Sequence, residues 1–231
     1  MRRERKLSDF RHDLCLSPKL WANFALGESD TNPKKGMVIT MIQKKAIVRS
    51  IVIVIILLVA ILFGLLFQTV WDAIDRANYP LKYTDEVEKY CAEYGVPEYV
   101  VYSVIKVESN FDSGAVSDAG AIGLMQMMPD TFTWLTSTLK ENLNSAMLYD
   151  PDTNIKYGTY YLAYLYIRYG SWNEVYAAYN AGQGTVDGWL EDEELTDSTG
   201  SLKKIPYKET SGYVKKVSKA NEVYKRLYFD N

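Results

Sequence analysis

Between Arg49 and Trp71 lie 21 residues without a charge, and residues 51–67 of that run (IVIVIILLVAILFGLLF) hold no strongly polar side chain. Wound as a helix, the run would be about 31 Å long, which matches the hydrocarbon core of a bilayer. A buried core helix and a cleaved signal peptide are the alternatives. Core helices are rarely apolar on every face, and no small-x-small cleavage site follows the run, since QTVWDAID comes next. Residues 46–70 are therefore expected to form an uncleaved membrane anchor.

The charges on either side predict an orientation. Residues 1–49 hold 11 Lys/Arg against 5 Asp/Glu, a net +6, whereas residues 71–231 hold 15 against 24, a net −9. Basic residues mark the cytoplasmic side, and Lys44, Lys45 and Arg49 stand at the membrane edge. The N-terminus is thus expected inside the cytoplasmic membrane and the large C-terminal part outside, with Trp71 at the outer interface. An acidic outer part also excludes nucleic acid as an expected partner, because phosphate binding needs a basic stripe. Lys215, Lys216, Lys219 and Lys225 read as a solvated helix face.

His12 is the one histidine, and Cys15 and Cys91 fall on opposite sides of the expected membrane. No metal site, disulfide framework or histidine-dependent triad is expected in the outer part. Residues 1–45 mix charges with Gly27, Pro33 and Gly36 and read as a disordered cytoplasmic tail. Residues 71–82 read as a linker ending at Tyr79-Pro80, and residues 83–231 as one domain.

That domain predicts as all-α. Val87, Tyr90, Cys91 and Tyr94 are spaced as one face of a helix, with Asp85 as its expected cap and Gly95 as its stop. Pro97 opens a second helix with Val100, Val101, Val104 and Ile105 inward. Asp150-Pro151 caps a long helix that ends at Gly170, another starts at Ser171, and a last one runs from about residue 208. Residues 191–201 read as an exposed charged loop.

The second helix places Glu108 on the same face as Val101 and Val104, near its C-terminal end. Burial and the negative end of the helix dipole both raise a carboxyl pKa, and a carboxylic acid protonated near neutrality suits cleavage of a glycosidic bond. A structural glutamate bonded to backbone amides of the next loop would show the same spacing.

The surrounding segments carry a resemblance. ESNFDSGAVSDAGAIGLMQMMPDT, YDPDTNIKYGTYYLAYLYIRYG and AAYNAGQGTVDGWL, within roughly residues 83–228, resemble the catalytic domain of SLT-type lytic transglycosylases, relatives of goose-type lysozymes. The resemblance implies a lysozyme-like (goose-type) all-α domain acting on peptidoglycan glycan strands, without cofactor or metal. It implies that Glu108 is the single acid/base. As an acid, Glu108 would protonate the oxygen of the β-1,4 bond between N-acetylmuramic acid and N-acetylglucosamine. As carboxylate, it would then take the proton from the muramoyl C6 hydroxyl, which attacks C1 and leaves a 1,6-anhydro end.

The other matching positions follow from the same blocks. Ser109 follows the acid. Ser117 would help to hold the carboxyl or an acetamido group, or else is a turn serine. Gln126 would bond sugar polar groups, with Met125 lining the cleft or packing beneath it. Tyr179 and Asn180, from AYNAG, would face the cleaved bond, and Tyr213 would return from the last helix towards Glu108. Ser113-Gly114 departs from the Pro-Asn-like turn of many relatives and bears on loop shape. A water-using muramidase would need a second carboxylate, for which Asp112 and Asp118 are the sequence neighbours. A wall-binding module without catalysis is the third reading.

Overall fold

The computed structural model describes residues 33–230, and the expectations placed on residues 1–32 lie outside them. The described residues contain helices, turns and three isolated β-bridges, with no strand. They divide into two units, one up to Leu66 and one from Phe67 onward.

Helix α1 spans Pro33–Asn78, and it is long and apolar enough to cross a membrane. Two expectations need correction here. Residues 33–45 are helical rather than disordered, because a helix once nucleated by the apolar run extends at one hydrogen bond per residue fixed. Residues 71–78 are helical rather than an open linker, and the partners that hold them lie far off in sequence. Arg226 pairs with Asp72 at 2.6 Å and also with Asp75, and Arg76 donates to the Leu227 carbonyl at 2.8 Å. The non-helical connection shrinks to residues 79–83.

Within the second unit, α2 (Thr84–Tyr94) and α3 (Glu98–Glu108) are followed by turns and then by α4 (Pro129–Thr138). A 3₁₀ turn (Ser145–Tyr149) leads to α5 (Pro151–Tyr169), α6 (Trp172–Ala181), α7 (Gln183–Leu190) and α8 (Lys208–Tyr224), which widens into a π-turn (Lys225–Phe229). Helix α3 is the centre. Its Val100, Val101, Val104 and Ile105 are wholly buried, and α8 packs along it while α6 bridges α8 and α5.

Local chemistry sets most boundaries. Asp150 caps α5 by accepting the Thr153 N–H at 3.0 Å, Pro151 occupies the first turn, and Gly170 ends the helix at φ 70°. Asp85 is not the cap of α2: Tyr83, itself left-handed at φ 58°, stands there, and Asp85 lies in the first turn, where the helix dipole favours a carboxylate. The tyrosines give the core much of its bulk. Tyr102 stacks on Tyr224 with ring centroids 5.5 Å apart, and hydroxyls reach protein acceptors, as Tyr90 reaches Asp152 at 2.7 Å and Tyr157 reaches Glu141 at 2.7 Å.

Asp150→Ala should lower unfolding free energy by about 1 kcal/mol through the lost cap, and Leu162→Ala by about 2–5 kcal/mol through a core cavity. Urea unfolding followed by circular dichroism checks both, and an Asp150→Ala loss as large as that of Leu162→Ala would refute the capping account.

Candidate active site

Glu108 is the last residue of α3 and is only partly buried, although the helix face below it is closed to water. Its Oε1 accepts a hydrogen bond from the Tyr213 hydroxyl at 2.7 Å, delivered by α8. Burial raises the carboxyl to about 7, and the tyrosine hydrogen bond works against that rise by favouring the charged form. The group is therefore divided between acid and base at neutral pH. Tyr213 itself is pushed well above the ordinary phenol range by burial first and then by the nearby Glu108, so it remains a donor.

The turn at residues 122–127 is tied to the end of α3 through Ser109, and several of its backbone groups have named partners. Ile122 and Met127 exchange N–H···O bonds at 3.0 Å. Ser109 Oγ donates to the Leu124 carbonyl at 2.7 Å, and the Tyr179 hydroxyl donates to the Met125 carbonyl at 2.8 Å. The Met125 N–H donates to Asn154 Oδ1 at 2.8 Å, while Asn154 Nδ2 donates to the Ile122 and Leu148 carbonyls at 2.9 and 2.8 Å. Gly123 is forced by the close approach of Asn154: at φ +80°, a Cβ would lie 2.2 Å from Asn154 Nδ2 and 2.4 Å from the Leu148 oxygen.

Each residue singled out from sequence can now be placed. Ser109 ties the end of α3 to the turn. Met125 is wholly buried beneath the turn, with its sulfur packed where a side chain on Gly158 would stand. Gln126, left-handed at φ 48°, donates its amide to the Ala115 and Gly123 carbonyls at 3.1 and 2.9 Å, so its nitrogen is committed to backbone. Ser117 accepts the Ala121 N–H at 3.0 Å in its own turn, and its hydroxyl makes no bond to Glu108 among the described residues. Asn180 is exposed beside Tyr179, whose phenol is held well above its ordinary range by burial first and then by Glu108. Asp112 accepts the Gly114 N–H within its turn at 2.9 Å, and both it and Asp118 are exposed.

Asn154 was not singled out from sequence. Its position in the first turn of a capped helix resembles any polar helix residue, and only the wholly buried side chain reveals its three bonds. A clue did exist in its place between Thr153 and Ile155, on the face that α5 turns inward.

A carboxyl raised by burial towards neutrality at a helix end, under a tyrosine hydroxyl and with a pinned turn tied to the same helix end through Ser109, has the properties a general acid–base group needs. The chain belongs, through residues 85–199, to the transglycosylase SLT domain family. It is 35% identical over 164 residues to the soluble lytic murein transglycosylase of Escherichia coli K12, covering 69% of this chain and 25% of that protein. It is 30% identical over 167 residues to the membrane-bound lytic murein transglycosylase C of Haemophilus ducreyi, covering 62% of this chain and 45% of that one. The crystal structure of the 70 kDa soluble lytic transglycosylase from Escherichia coli superposes with a TM-score of 0.62 at 33% identity, over 67% of this chain and 26% of that one. The lytic transglycosylase Slt of Pseudomonas aeruginosa, solved as an inactive glutamate-to-glutamine mutant, superposes at 0.58 with 30% identity, over 64% and 24% of the two chains. The chain thus spans about a quarter of the length of the soluble relatives it matches.

Two outcomes are expected from this geometry. The folded state keeps the Glu108 proton up to about pH 7, whereas the unfolded chain releases it near 4.5, so this group's stability contribution is complete below 4.5 and is lost as pH rises to 7. Glu108→Gln should therefore match the wild type in melting temperature at pH 4 and exceed it at pH 8, and a constant offset would contradict the buried-acid account. Asn154→Ala leaves the Met125 N–H and the Ile122 and Leu148 carbonyls short of a partner and should cost about 2–4 kcal/mol in urea unfolding.

Proposed function

We propose that the chain is a membrane-anchored peptidoglycan lytic transglycosylase, with Glu108 as its single acid/base catalyst. The observation that carries this reading is the Glu108 carboxyl itself, placed by burial at about 7 and held through Oε1 by Tyr213. Among the described residues no hydrogen bond occupies Oε2, which is free to give its proton to the glycosidic oxygen. Once that proton has left, the carboxylate takes the C6 hydroxyl proton of the same muramoyl residue, and that oxygen closes on C1. One proton enters the leaving group and one returns to Glu108, so no water is consumed. The Tyr213 hydrogen bond strengthens as the carboxylate forms, and Glu108 needs no second carboxylate for this sequence.

Two polar side chains support the same substrate. Asn180 is exposed next to Tyr179, and the Gln126 oxygen remains for sugar N–H and O–H groups once the amide nitrogen is bonded to backbone. Ser117 acts on the substrate through the shape of its turn, in this reading, rather than by holding the carboxyl. Ser109, Met125 and Tyr213 form the support of the acid and of the turn opposite.

For location, the apolar part of α1 serves as the span through residues 46–70, with Lys44, Lys45 and Arg49 on the cytoplasmic side and the SLT domain outside. This orientation puts the acid on the side where peptidoglycan lies.

Mass spectrometry of muropeptides released from purified peptidoglycan by the detergent-solubilised chain tests the reaction. Anhydro-muramoyl products are expected, with release by Glu108→Gln reduced about 10²- to 10⁴-fold. Reducing-end products would instead identify a muramidase, and binding without release would identify a wall-binding protein. Tyr213→Phe should move the basic limb of the kcat/KM profile to higher pH, because it removes the bond that lowers the Glu108 pKa; a limb that stays in place would show that Tyr213 does not set the acid.

A further inference from the structure

The C-terminal helix carries a basic face that glycan cleavage does not use. Lys215 and Lys219 are four residues apart and Arg226 lies seven further on, so all three fall on one side of the α8 helix and its π-turn. Trp71, Asp75, Tyr79, Lys106, Lys219 and Arg226 line a cleft of about 550 Å³ within the second unit. The charges there are unequally matched. Arg226 is compensated by Asp72 and by Asp75, whose side chain is only 16% exposed. The Lys106 ammonium instead donates to the neutral Asn110 amide and lies 5.4 Å from the Tyr79 ring centroid. Neither Lys106 nor Lys219 has an ion pair among the described residues. Burial first, and then the nearby Lys82, press Lys106 below the ordinary lysine range.

This surplus sits in a domain whose overall charge is strongly negative, at one particular place. Trp71, which lines the cleft, is the first residue after the uncharged run of 21. Long basic side chains and an indole at that depth suit the boundary between acyl chain and headgroup. We propose that this cleft binds the phosphate of an anionic glycerophospholipid, with Lys106 and Lys219 as its cationic partners and Trp71 against the glycerol end of the lipid. The proposal rests on the reading of α1 as a membrane span. It gives the enzyme a preference for anionic lipid at its membrane-adjacent end.

Native mass spectrometry of the full chain in detergent, offered equal amounts of phosphatidylglycerol and phosphatidylcholine, tests it. Phosphatidylglycerol should be retained over phosphatidylcholine by at least about fivefold, since a lysine near an anionic headgroup contributes about that factor. Lys106→Gln with Lys219→Gln should bring the two lipids to parity, whereas Lys106→Arg with Lys219→Arg should keep the preference. Neutralising Lys44, Lys45 and Arg49 together should keep it as well. Equal retention of both lipids by the wild type would overturn the proposal. So would a preference that survives the double Gln variant at unchanged melting temperature. Abolition of the preference by excess sodium phosphate would mark a free-ion site instead of a lipid site. Release of the chain from membranes by carbonate would sink the span reading separately, and the muropeptide measurement decides the catalytic one.

Discussion

A carboxyl group at the last residue of α3 must be dry enough to keep its proton near neutrality and wet enough to give it up. The wholly buried valines and Ile105 beneath it supply the first condition, and the Tyr213 hydroxyl supplies the second by stabilising the charge once it forms. The packing of α8 along α3 is what brings these opposed influences to one atom pair.

The turn opposite is rigid for a different reason. A short irregular segment has no helix to satisfy its backbone, so side chains from three other places do it: Ser109 from the end of α3, Asn154 from α5 and Tyr179 from α6. Asn154 alone uses one acceptor and two donor bonds, which an apolar or charged residue of that size could not reproduce. The Gly123 approach to Asn154 shows how closely the turn is drawn in. The end of α3, which carries the acid, and the turn are therefore joined through Ser109, while Asn154 and Tyr179 pin the turn from two further helices.

Much of this arrangement was legible in the sequence where it depends on periodicity. The all-α class, the inward face of α3 and the caps at Asp150 and Gly170 follow from spacing, and so does the unusual placement of Glu108 among valines. Positions whose role depends on distant partners were not legible. Asp72, Asp75 and Arg76 read as the polar residues of a linker because Arg226 and Leu227, which hold them in a helix, come some 150 residues later. Tyr83 took the place of Asp85 at the start of α2 because a left-handed tyrosine has no sequence signal, and Asn154 was hidden among helix polar residues for want of its turn. Ser117 and Gln126 were found by resemblance, yet their hydrogen bonds serve the turns they sit in, which a motif does not distinguish from contact with a ligand.

The hydroxyl and the acid it tunes are 105 positions apart, at opposite ends of the domain's chain. A polypeptide that emerges N-terminus first therefore has its glutamate long before α8 exists to cover it. In that interval the carboxyl stands in water and ionises as any exposed glutamate does, because the burial that raises it is not yet in place. The balance of burial and hydrogen bonding at this carboxyl therefore comes into being only when the final helix docks against α3.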